Sequence, residues 1–95
     1  MNKQEISNGT LIDVRSIEEF AQGHHPDSLN IPLDQLEHAL VNVHQYTAPI
    51  YLCCASGIRS DYAAKWLRNQ GIDAVNVGGW ESLLPDSNEK NPNVS

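Results

Sequence analysis

Cys54-Ala55-Ser56-Gly57-Ile58-Arg59 is the stretch of this chain whose residue types and spacing can do chemistry. An apolar run, Pro49-Ile50-Tyr51-Leu52-Cys53, leads into it, and a helical pattern, Ser60-Asp61-Tyr62-Ala63-Ala64-Lys65-Trp66-Leu67-Arg68, leads out. A cysteine at such a strand-to-helix turn lies among the unpaired backbone N–H groups of a helix N-terminus. The partial positive charge there favours thiolate over thiol. The same N–H groups can cradle an anion, or a second sulfur bonded to the first. One loop thus supplies nucleophile, activation and anion pocket. Cys54 is the expected catalytic residue, and Ala55, Ser56, Gly57, Ile58, Arg59 and Ser60 the expected substrate-binding ring. Gly57 eases the turn. Arg59 holds an anion or pins the loop through carbonyl contacts, and Ser60 caps the helix that follows.

The elements that must position this loop alternate at short intervals, which predicts an α/β domain with a mainly parallel sheet. Residues 11–14, 29–31, 50–53 and 74–77 read as strands; the third is apolar throughout, as a strand covered on both faces should be. Ser16 with Glu19 is a capping-box pattern opening a short helix to Gln22. Pro32 and Asp34 introduce a second helix from Gln35 to about Val43, with Leu36, Ala39, Leu40 and Val43 on one face. A third runs over 59–69 with Ala63, Trp66 and Leu67 inward and Gly71 just past its end. Residues 1–84 form one domain, and 85–95, without periodicity, read as a flexible tail.

Composition narrows the function classes. The net charge of −6 argues against nucleic acid or an anionic membrane as partner. No apolar run approaches the roughly 20 residues that span a bilayer, and no signal-peptide pattern opens the chain. The expected location is therefore cytoplasmic, or periplasmic had a leader been removed. Lys65 and Arg68 read as solvated basic residues, whereas Arg59 lies in the loop itself. Cys53 and Cys54 are neighbours, about 3.8 Å apart at Cα, too close for an ordinary disulfide. Strand alternation points their thiols to opposite faces, leaving Cys53 a buried hydrophobe. The four histidines show no metal-ligand spacing, so neither metal nor cofactor is expected. Asp13 and Arg15 read as structural, Arg15 pairing with Glu18 or Glu19. His24 and His25 read as turn residues, and Trp80 as core or pocket rim.

Leu-Ile-Asp-Val-Arg at 11–15, Glu18-Glu19-Phe20, Gly23-His24, Asn30-Ile31-Pro32-Leu33, the Cys54 loop and Gly78-Gly79, in that order, resemble the rhodanese family. Within it the chain looks like the small single-domain thiosulfate sulfurtransferases, such as the phage-shock type. The resemblance implies a three-layer fold, a central parallel sheet of four or five short strands with helices on both faces. It also implies that Cys54 accepts sulfane sulfur from a small-molecule donor such as thiosulfate and passes it to cyanide, a small thiol or a protein thiol, the enzyme acting as a monomer. Two positions depart from the family pattern. His25-Pro26-Asp27-Ser28 stands where Ile-Pro-Gly-Ala is usual, and Ala55 replaces a frequent Arg, removing one contact to the anionic end of thiosulfate.

Two other readings use the same residues. Cysteine phosphatases and arsenate reductases also run a loop from Cys to Arg, but with one residue more between them, a wider ring suited to phosphate. A dedicated persulfide relay or interaction partner for another protein would use this same loop.

Overall fold

The computed structural model describes residue 6 and residues 8–84; the tail expected at 85–95 lies outside the described residues. Four strands form one sheet: β1 (Thr10–Asp13), β2 (Ser28–Asn30), β3 (Ile50–Cys54) and β4 (Ala74–Gly79). Their order is β2-β1-β3-β4 and all three pairings are parallel. Every strand therefore ends on the same edge of the sheet, and the residues leaving β1, β3 and β4 meet there.

All five residues of β3 are buried, and their alternation divides the core. Ile50, Leu52 and Cys54 join Ile12, Leu36 and Val43 and the inner face of a helix. Tyr51 and Cys53 turn the other way, onto Ile6, Leu11 and Leu83. That helix, called α3 below (Ile58–Asn69), buries Ala63, Ala64 and Leu67. Fully burying a side chain such as Leu67 or Leu52 contributes about 2 kcal/mol, so α3 is held by its small-residue face and Leu67. It ends where Gly71 takes φ +86°. The opposite face carries a thinner cover, Ile6 and a 3-10 turn at Trp80–Leu83.

The first helix, α1 (Ile17–Gln22), has the capping box expected of it: Ser16 Oγ accepts from Glu19 N–H at 3.1 Å while Glu19 Oε1 accepts from Ser16 N–H at 2.9 Å. The second differs from expectation. A 3-10 turn occupies Leu33–Gln35, irregular turns follow, and α2 spans only Leu40–Gln45. The apolar spacing does deliver Leu36 and Val43 to the core. The backbone gets there through bonds between residues three apart, Gln35 N–H to Pro32 and Leu36 N–H to Leu33, because no side chain caps either start. Among the described residues no helix is long and apolar enough to cross a membrane.

Candidate active site

Cys54 is the last residue of β3, and Gly57 starts α3 in the left-handed conformation, φ +98°. A residue with a Cβ is strained there, and that Cβ would lie 3.2 Å from Gly78 Cα. With the turn so tight, the loop folds back over the sulfur. Gly57 N–H donates to Cys54 Sγ at 3.0 Å, Ser60 N–H reaches it at 3.4 Å, and Ser60 Oγ stands 3.4 Å away. The thiol is completely buried. Burial pushes it up, but the Ser60 hydroxyl and the N–H groups of Ser60, Gly57 and Ser56 together outweigh that, so its pKa falls below that of an ordinary cysteine. Cys53, without such donors, is pushed up to about 12, chiefly by burial and then by the charge of Asp13. The expected division of the two thiols between opposite faces is what the structure has.

Ser60 is not the cap. The helix begins at Ile58, so Ser60 lies inside its first turn, fully buried. Its hydroxyl instead donates to Asn76 Oδ1 at 2.7 Å. Arg59 also differs from expectation. Its guanidinium forms a two-pronged pair with Glu19, 2.8 and 3.0 Å, which ties α3 to α1 rather than pointing at Cys54. Glu19 is therefore not the partner of Arg15. Arg15 is buried against Asp13, with Nη2 to Oδ2 at 2.7 Å, and donates onward to the Glu19 and Gly23 carbonyls. Asn30 closes this hub through the Asp13 and Arg15 carbonyls. Of the remaining ring, Ala55, Ser56 and Ile58 have exposed side chains, Ile58 to 76 %.

Above the loop lies a pocket of about 330 Å³ lined by Arg15, Glu19, Gln22, Gly23, Ala55, Trp80 and Glu81. Trp80 is at its rim, as expected, and covers the Arg15 guanidinium at 4.7 Å. Arg15, which lines it, already holds Asp13; Glu19 at the same wall is held by Arg59, and Glu81 adds a negative charge. His24 and His25 are turn residues: His24 Nδ1 lies 2.7 Å from the Phe20 carbonyl, and His25 Nδ1 accepts from Asp27 N–H. Asn76 was not singled out from the sequence. Its signal was a polar residue in the otherwise apolar run Ala74-Val75-Asn76-Val77.

The chain spans 35 % of YrkF of Bacillus subtilis (strain 168), a proposed sulfur carrier protein to which it is 37 % identical over 68 % of its own length. YtwF of the same organism, a proposed sulfurtransferase, is 35 % identical over 82 % of this chain and 79 % of its own. A rhodanese-related protein of Thermoplasma volcanium superposes with a TM-score of 0.75 at 31 % identity, covering 84 % of this chain and 80 % of that one. The profile of the rhodanese-like domain matches residues 1–84. That span takes in the four parallel strands and the cradled Cys54 alike, and the chain belongs to the rhodanese-like domain family.

Proposed function

We propose that this chain is a sulfurtransferase working by double displacement through a persulfide on Cys54. Cys54 thiolate attacks the outer sulfur of a donor such as thiosulfate; the sulfur–sulfur bond of the donor breaks and sulfite leaves with its electron pair. The Cys54 persulfide anion remains. Cyanide or a thiolate then attacks the outer sulfur, and Cys54 thiolate departs. The carrying observation is the ring of donors aimed at Cys54 Sγ, Gly57 N–H at 3.0 Å and Ser60 N–H at 3.4 Å. Such a ring stabilises a thiolate as attacker and leaving group, and the pocket above Ala55 gives the outer sulfur a place to be met. No cofactor is needed for these steps.

A protein thiol as acceptor is favoured by one further observation. Ile58 and Tyr62, one turn apart beside the loop, are 76 % and 62 % exposed, apolar surface that a small anion does not use. The phosphatase alternative finds no support, because Arg59 is occupied by Glu19. Intact mass spectrometry of the reduced protein after brief incubation with thiosulfate tests the proposal. The native chain should gain one sulfur and Cys54→Ser none. No gain with thiosulfate or with an organic persulfide, while Cys54 still alkylates, would overturn it.

A further inference from the structure

Asn76 sits on β4 where the pairing with β3 slips: Leu52 faces Asn76 but Cys53 faces Gly78, so Val77 is the extra residue of a bulge. Its amide spans that irregularity. Gly78 N–H donates to Oδ1 at 3.0 Å and Nδ2 donates to the Gly57 carbonyl at 3.1 Å. These two backbone groups fix which way the amide faces: its oxygen must point toward Gly78, and that oxygen also receives the Ser60 hydroxyl at 2.7 Å.

A serine hydroxyl has one proton. While it is given to Asn76, Ser60 Oγ can only accept from Cys54, so the 3.4 Å contact is S–H to oxygen. Once Cys54 loses its proton to bulk water, the sulfur becomes an acceptor and a charged one, which takes hydrogen bonds about twice as strong as a neutral one. Ser60 can then turn its proton to sulfur, and Asn76 Oδ1 keeps a partner in Gly78 N–H. No buried group is orphaned in either state.

The geometry points to Asn76 as a positioning residue for Cys54: it anchors the loop through Gly57 and holds the Ser60 proton while Cys54 is a thiol, releasing it to sulfur when thiolate or persulfide forms. The persulfide part of this rests on the proposed function; the thiolate part does not. The other ionisable groups around Cys54 are accounted for. Cys53 faces the other side of the sheet, Asp13 and Arg15 hold each other, and Arg59 holds Glu19.

The test is the pH dependence of Cys54 alkylation by iodoacetamide, read by mass spectrometry, in four proteins: native, Ser60→Ala, Asn76→Asp and the double variant. In the native background Ser60→Ala should raise the midpoint by about one pH unit, the loss of one donor to a buried anion. With Asp at 76 the carboxylate keeps the Ser60 proton, so Ser60→Ala should then shift the midpoint by less than about 0.3 unit. An equal shift in both backgrounds, or none in the native one, overturns the proposal. Should Asn76→Asp fail to fold, Asn76→Ala replaces it with the opposite expectation. There Ser60 has no competing acceptor, and its removal should cost more than in the native protein; an equal or smaller cost overturns the proposal. Alkylation needs no sulfur donor, so failure of the persulfide assay would leave this result standing, and the reverse.

Discussion

Cys53 and Cys54 carry the same group one residue apart, and only the donors that each meets distinguish them. At pH 8 iodoacetamide should label one thiol in the folded protein, Cys54, with Cys53 labelled only on unfolding, since its pKa is pushed up to about 12 and it faces the second core, away from the loop; peptide mapping checks this. That separation was legible in the sequence through strand parity. The roles of Arg59 and Ser60 were not, because each depends on a partner far along the chain, Glu19 and Asn76. Glu19, held by Arg59 and then by Ser16 N–H, has its pKa lowered to about 2. A carboxylate with a depressed folded pKa contributes stability that is fully present above its unfolded value. This contribution fades as pH falls from about 4.5 toward about 2. The pair is about two-fifths exposed, so solvent screening limits it to about 1 kcal/mol or less. Glu19→Gln should cost that much in urea melts at pH 7 and progressively less as the pH is lowered toward 2.

At the scale of elements, the loop and the end of β4 are shaped to each other by glycine. A Cβ on Gly57 would crowd Gly78 Cα, and one on Gly79 would lie 2.9 Å from the Ala55 carbonyl, where something must shift. Gly57→Ala forces a side chain into φ +98°, at a cost of about 1–2 kcal/mol. It should also slow persulfide formation several-fold, since the shortest donor to sulfur is Gly57 N–H itself; a thermal melt beside the mass assay checks both. In the sequence Gly78-Gly79 is legible only as part of the family pattern; the structure makes it the wall against which the loop rests. The strand positions read from the sequence agree with the structure to within about two residues. The single helix expected from Gln35 to about Val43 is absent, because periodicity reports which residues turn inward, not whether the backbone between them is α, 3-10 or turn.

At the scale of the molecule, the buried Asp13–Arg15 pair joins β1 to the start and end of α1 and underlies the pocket. Removing one member of a buried pair strands the other's charge, at about 3–5 kcal/mol. Arg15→Ala should therefore unfold far earlier in urea than the native chain, and Asp13→Asn/Arg15→Met together should recover part of the loss. The fold class was readable because four short strand-like runs alternating with helical patterns leave few arrangements. This hub was not, since Glu18 and Glu19 stand within reach along the sequence and offer Arg15 partners, whereas the fold pairs it with Asp13 two residues back.

The two-residue period of β3 has one more consequence. Both faces of this strand are buried, so its frame decides which thiol reaches the loop and which enters the second core. A slip by one residue would exchange them, setting Cys53 under the turn and Cys54 in the second core beside Leu11 and Leu83. Inside β3 a change of one residue between Ile50 and Cys54 would thus swap the two sulfurs, and the loop's donors would activate whichever one that count delivers to them.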